Sequence, residues 1–248
     1  MSDAVEIKNI SFSFNTPLGE HFVLNNISFS VAKGEFVTIA GPSGCGKSTL
    51  LSVIAGLLKP TEGVINIAQN QKCGYMLQKD YLFEWRSVFS NACLGEEIKG
   101  KLTPETRNFA LSLFEKYGLK DYINSRPSAL SGGMRQRAAL IRTLVPKPDI
   151  LLLDEPFSAL DSITRISLQE WLLKEWEKHK KTILFVTHDV EEAIFLSQKI
   201  FVVSDRPITH FQEFKIDLPY PRNRADMARS DIAALKEMLI KHLRQEEE

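Results

Sequence analysis

Residues Gly41-Pro42-Ser43-Gly44-Cys45-Gly46-Lys47-Ser48 constrain this chain more than any other stretch. They match G-x-x-x-x-G-K-[ST], a pattern that carries meaning only where a strand enters the loop and a helix leaves it. Both flanks qualify. Glu35–Ala40 reads as a short buried strand, and Lys47–Leu58 sets Leu50, Leu51, Ile54 and Leu57/Leu58 at helical spacing before Lys59-Pro60 ends the run. The glycines let backbone N–H groups turn inward around an anion, and the helix N-terminus adds partial positive charge. Gly41, Pro42, Ser43, Gly44, Cys45, Gly46, Lys47, Ser48 and Thr49 are therefore expected to cradle the phosphates of a nucleoside triphosphate, ATP. Lys47 would reach the β/γ-phosphates and Ser48 would ligate Mg²⁺.

Such a loop needs a second carboxylate for its metal. Ile150-Leu151-Leu152-Leu153-Asp154, an apolar strand ending in an acid, has the form of a Walker B site. Asp154 would hold Mg²⁺ through its water shell, because this ion dehydrates reluctantly. Glu155 follows directly and is expected to orient and deprotonate the attacking water, although a solvated loop acid would read the same way.

The rest of the chain suits an α/β fold. Phe12, Phe14, Phe22, Val23 and Leu24, then Ile27, Phe29 and Val31, give the opening the alternation of half-buried strands. Thr103 with Pro104 begins a helix whose apolar face is Phe109, Leu113, Phe114 and Tyr117, with Gly118 as its stop. A second helix starts near Ser131–Gly133 and runs through Arg142, so residues from about 86 to 145 read as a helical insertion. Beyond it, Ile150–Leu153, Thr182–Thr187 and Lys199–Ser204 are strands separated by helices capped by Asp161 and Asp189, the pattern of a parallel sheet wrapped by helices. Ser230 opens an amphipathic tail helix, with Ile232, Leu235, Leu239 and Leu243 on one face, and Glu246–Glu248 is expected to fray it.

Charge and composition remove several classes. Lys+Arg and Asp+Glu both number 31, without the basic excess that a nucleic-acid partner selects, so none is expected. The most apolar stretches, such as Ile150–Leu153 and Ile183–Val186, are far too short to span a bilayer, so any membrane role must run through a partner. Met1–Phe14 lacks the basic and apolar regions of a secretory signal, and three cysteines without metal-ligand spacing fit reduced thiols. A cytoplasmic location is the expectation.

Further motifs, in order and over nearly the whole chain, resemble the ATP-binding subunits of ABC transporters. Leu130-Ser131-Gly132-Gly133-Met134-Arg135-Gln136-Arg137 is similar to the family signature, with Met134 where the consensus has Gln. Ser158-Ala159-Leu160-Asp161 resembles the D-loop, Gln78 the Q-loop glutamine that senses Mg²⁺ and the transmembrane partner, and His188 the switch histidine at the γ-phosphate. The resemblance implies a P-loop NTPase core with a parallel sheet, an N-terminal antiparallel β subdomain and an inserted helical subdomain. It also implies a head-to-tail dimer in which Ser131, Gly132 and Gly133 of one copy face the nucleotide of the other. Phe14 stands where the family stacks an aromatic on adenine, but it also reads as core. The implied domain spans residues 1–229, followed by a tail helix at 230–248.

Tyr81-Leu82-Phe83-Glu84-Trp85-Arg86-Ser87-Val88, Ser204-Asp205-Arg206-Pro207 and Asp217-Leu218-Pro219-Tyr220-Pro221-Arg222 resemble the nitrate/sulfonate/taurine importer group, which includes importers of thiamine-precursor pyrimidines. This implies a membrane permease partner, peripheral attachment at the cytoplasmic face of the membrane and, indirectly, a solute-binding protein. Tyr81–Trp85 is either the surface for the permease or a loop folded onto the helical subdomain. Two other readings stand beside the importer: a non-transport ABC module for envelope or division work, and a P-loop small-molecule kinase, which leaves Leu130–Arg137 and Ser158–Asp161 without a purpose. Cys45, at a helix N-terminus where a thiolate is favoured, is either a reactive handle that ATP would shield or a small residue that fits.

Overall fold

Apolar–polar alternation at the start of the chain produces β1 (Asp3–Thr16) and β2 (Gly19–Ala32), which pair antiparallel as one long hairpin. In the computed structural model, which describes residues 3–17 and 19–244, these are followed by β3 (Phe36–Ala40), α1 (Lys47–Ile54), β4 (Glu62–Ile67), β5 (Cys73–Met76), α2 (Val88–Ile98), α3 (Pro104–Lys116) and α4 (Gly132–Leu144). The chain continues through β6 (Ile150–Asp154), α5 (Ser162–His179), β7 (Thr182–Thr187), α6 (Val190–Leu196), β8 (Lys199–Val202), β9 (Gln212–Lys215) and α7 (Ser230–Arg244). It divides into two compact units: one joins the chain up to Gln71 with the chain from Leu172 onward, and the other is Lys72–Trp171.

In the first unit, β4 joins the hairpin on β1, giving an antiparallel sheet in the order β2-β1-β4. Beside it β3 lies between β7 and β8, parallel to both, and β9 closes the edge antiparallel to β8. Every residue of β3 and β7 is buried, which is why both read as unbroken apolar runs rather than alternating ones. The register pairs Ala40 with Thr187, so the loop beginning at Gly41 and the residue His188 leave neighbouring strands at the same carboxyl end. Carboxyl ends of parallel strands are where α/β sheets place their ligands.

The second unit repeats that device. Strands β5 and β6 pair in parallel from Cys73↔Ile150 to Met76↔Leu153, so Gln78 and the pair Asp154–Glu155 follow adjacent strand ends. Residues 86–145 hold α2, α3 and α4 with two short 3₁₀ turns. Side chains cap the helices: Ser87 accepts from Ser90 N–H, Thr103 from Thr106 N–H, and Ser131 from Met134 N–H.

Two expectations about boundaries change. Helix α1 stops at Ile54 rather than Leu58, because Gly56 turns left-handed (φ 73°) and Leu57 and Leu58 donate their N–H groups back to the Ser52 carbonyl. Strand β8 ends at Val202 instead of Ser204. At the other end of the chain, Ile232 and Leu239 of α7 are buried against Ile194, Ile200 and Val202, with Leu235 and Leu243 packed alongside. Glu246–Glu248, expected to fray, lie outside the described residues.

Candidate functional site: a phosphate loop and two carboxyl-end clusters

Between β3 and α1 the backbone does what the glycines allow. Gly44 has φ 78°, and Gly46, the N-cap of α1, has φ 113°. Both values lie where a side chain is strained. Space also forbids a side chain at Gly46 and at Gly41. A Cβ at Gly46 would meet Val23 Cγ1 at 2.6 Å, and one at Gly41 would meet the Val203 carbonyl at 2.8 Å. Lys47 is buried, and its ammonium donates to the Gly41 and Pro42 carbonyls at 2.7 Å each. The cation is thus held on the inner side of the loop, with the first-turn amides of α1 nearby, an arrangement suited to phosphate. Ser48 begins the helix with an exposed side chain and Thr49 is half-buried. From beyond the neighbouring strand β8, distant in sequence, Arg206 donates to the Ser43 carbonyl at 2.7 Å, a support for the loop that sequence spacing did not reveal.

Cys45 is tucked against the inside of the loop beside Lys47. Its residue is buried, its sulfur would lie 3.2 Å from a Cβ on Gly41, and Lys47 Nζ approaches it at 3.7 Å. The structure therefore favours the small residue that fits over the reactive handle, since alkylation would require the loop to open.

His188 is exposed just after β7, and the turn around it is fixed. Asp189 N–H donates to Thr187 Oγ1 at 3.0 Å, and that hydroxyl donates to the buried Glu192 carboxylate at 2.6 Å. Asp189 then caps α6 by accepting from Glu191 and Glu192 N–H. Phe14 is 42% exposed on β1, touching Phe12 edge-on with ring centroids 4.9 Å apart. An aromatic face that open is not core, which removes one of its two readings.

In the second unit, Asp154 is buried at the end of β6 and Glu155 follows with φ 47°, a left-handed backbone on a non-glycine residue. Such a conformation costs about 1–3 kcal/mol and persists only where the surroundings over-determine it. Gln78 is exposed after β5 and lines a cleft of about 390 Å³ together with Asp80, Arg135, Gln136, Ser158 and Ala159. Ser131 is the exposed N-cap of α4, Gly132 has open space where a Cβ would stand, and Gly133 would press a Cβ to 3.0 Å from the Ala159 carbonyl. The signature helix thus starts directly against the D-loop segment. Ser48, Gln78 and Asp154 all offer oxygen, the donor type that hard Mg²⁺ takes.

The segment after Gln78 is tied down by its backbone and open at its side chains. Arg142 donates to the Asp80 and Tyr81 carbonyls at 2.6 and 2.9 Å, Arg135 pairs with Asp80 at 3.1 Å, and Arg126 donates to the Trp85 carbonyl. Asn91, fully buried, accepts from Phe83 N–H at 2.7 Å and donates to the Phe83, Arg86 and Ser87 carbonyls. Tyr81 and Trp85 are left 60% and 72% exposed, and the Phe83 and Trp85 rings lie 4.8 Å apart. The loop is therefore fastened to the helices, as one of the two sequence readings has it, while its aromatics face outward. Asn91 and Arg142 escaped the sequence reading because no spacing marks their carbonyl partners.

A glycine loop between a buried parallel strand and a helix, with its lysine turned inward, defines a P-loop nucleotide-binding fold. Residues 24–158 match the family described as ABC transporter. The aliphatic sulfonates import ATP-binding protein of Bacillus cereus is 43% identical over 226 residues, 89% of each chain. The formylaminopyrimidine import ATP-binding protein of Halalkalibacterium halodurans is 40% identical over 216 residues, 87% of this chain and 86% of its own. Among solved structures, a dimeric ATP-binding cassette in a post-hydrolysis state bound to ADP and Pi superposes with TM-score 0.79 at 31% identity, covering 87% of this chain and all of that one. The chain belongs to the ABC transporter family and is one of its ATP-binding ATPase domains. Among the described residues no helix is long and apolar enough to cross a membrane.

Proposed function

We propose that this chain is the ATP-hydrolysing subunit of an importer, acting at the cytoplasmic face of the membrane and energising uptake of a small solute through a partner permease. The observation that carries this is the extended match, near 40% identity, to two proteins named for import. Their names specify different solutes at similar identity, so the solute class stays at sulfonate-like or thiamine-precursor-like, chosen by a solute-binding protein and the permease. The outward aromatics Tyr81, Phe83 and Trp85 support a permease contact, since clustered exposed rings mark interaction surfaces.

Residue roles follow the chemistry of each place. Lys47 and the amides of Gly41–Thr49 bind the β/γ-phosphates, and Phe14 stacks on the adenine, contributing roughly 1–3 kcal/mol by analogy with base–aromatic stacking. Ser48, Gln78 and Asp154 hold Mg²⁺, which when bound neutralises charge on the phosphate oxygens. Glu155 takes a proton from the attacking water, and His188 holds the γ-phosphate. Ser131, Gly132 and Gly133 serve the nucleotide of a second, head-to-tail copy; the dimeric relative supports that assembly. In this reading residues 1–229 are the ATPase domain, with a helical subdomain at about 86–145, and 230–248 a tail helix.

The test is affinity purification of the full chain from membranes of the cell that makes it. A polytopic permease is expected to co-purify, and Trp85→Ala with Tyr81→Ala should release it. Recovery of ATPase alone from intact membranes would contradict the importer reading.

A further inference from the structure

Gln136 lies in the signature segment but one turn beyond the residues that the anion reading uses. Its side chain is buried, 5% exposed, and every polar atom of its amide is engaged. Nε2 donates to the Glu155 carbonyl at 2.9 Å and to Ser158 Oγ at 3.1 Å, while Oε1 accepts from Ala159 N–H at 2.9 Å. The contacts fix the amide's orientation: a carbonyl must meet a donor and an N–H must meet an acceptor, so the reversed amide would set oxygen against oxygen. The Glu155 carbonyl also accepts from Ser158 Oγ at 3.0 Å and from Ser158 N–H at 3.2 Å. Three donors thus converge on the carbonyl of the one residue whose backbone here is left-handed at φ 47°. Pro156 follows it and narrows that backbone further.

We propose that Gln136 is a positioning residue for ATP hydrolysis: by holding the Glu155 carbonyl and the Ser158–Ala159 backbone together, it fixes the direction in which the Glu155 carboxylate points. The tether runs through the backbone, so Gln136 itself touches neither water nor phosphate. Releasing it lets Glu155 relax toward an ordinary φ and swings the carboxylate away from the attacking water. Glycine at 133, which brings α4 within van der Waals reach of the Ala159 carbonyl, is what lets so short a side chain span the gap. The nearest substitutes in size fail these demands. Glutamate keeps the acceptor for Ala159 N–H but sets a carboxylate against the Glu155 carbonyl, leucine offers neither group, and asparagine is a methylene too short.

This inference rests on Glu155 activating the water, so Glu155→Gln accompanies the test. In the full chain, Gln136→Glu and Gln136→Leu are expected to lower kcat on the order of 10- to 100-fold, the loss typical of a displaced catalytic group. The KM for ATP and the directly titrated ATP affinity should stay within about twofold, the signature of a group needed only in the transition state. Ser158→Ala, an exposed site where folding is safe, should lower kcat by a smaller factor at unchanged KM. A kcat within about twofold of the parent in Gln136→Glu, with Glu155→Gln inactive, overturns the inference alone. Parallel loss of kcat and ATP affinity overturns it too, marking Gln136 as general scaffolding. Near-normal turnover by Glu155→Gln removes the role of Glu155 and this inference with it.

Discussion

Lys47 and Cys45 sit two positions apart and face one another across the inside of the phosphate loop, yet only one of them is equipped for ligand chemistry. The Lys47 ammonium shares two carbonyls at 2.7 Å, contacts that a triphosphate can replace with stronger charge-assisted ones. Lys47→Ala should therefore weaken ATP binding by roughly tenfold or more, about 1.4 kcal/mol, in a direct titration; an unchanged Kd would count against its role. Cys45 is buried, with its sulfur close to Gly41. Peptide mapping after brief iodoacetamide treatment of the folded chain should find Cys45 unmodified, with or without ATP. Rapid labelling that ATP suppresses would restore the reactive-handle reading. The loop's purpose was legible because a phosphate cradle is local: the motif and its flanks lie within one strand–turn–helix. The burial of the Cys45 thiol was not, because it depends on packing that no local spacing encodes.

Elements were legible where their signal was local and lost where it was not. Strands β3, β6 and β7 announce themselves as apolar runs, and Thr103 and Asp189 cap the helices they were expected to cap. The stop of α1 at Gly56 overrode a leucine periodicity that continued to Leu58, since one left-handed glycine outweighs two apolar positions. Arg222 shows the non-local kind. The sequence offered it only as part of a family-like string, whereas the structure buries it at the end of α6. There Nη1 donates to the Ile194, Phe195 and Ser197 carbonyls at 2.7–3.1 Å, and Nε donates to Leu218 at 3.0 Å. Helix carbonyls need such partners, and a guanidinium can serve several at once. Burial lowers the Arg222 pKa below its ordinary value, yet the group stays charged at any physiological pH. Arg222→Ala should cost about 2–4 kcal/mol in urea unfolding, because it strips buried carbonyls of their donors. A loss below about 1 kcal/mol would mean that water or a neighbour takes over those bonds.

For the molecule as a whole, the match over residues 24–158 gives the family. In the importer reading proposed above, the residues that choose the solute lie on other chains, and two import-named relatives with different solutes match this one about equally. The chain is an ATPase domain, and the hydrolysis proposed for it rests on Glu155. Its place after the buried Asp154, in a strained backbone held by three converging donors, makes it the base of the account. The direct measurement is steady-state phosphate release by Glu155→Gln beside the parent chain, with ATP affinity titrated on the same preparations. Turnover should fall by roughly 100-fold or more, the range expected on losing a general base, while ATP affinity is retained. Near-normal phosphate release by Glu155→Gln would contradict the account.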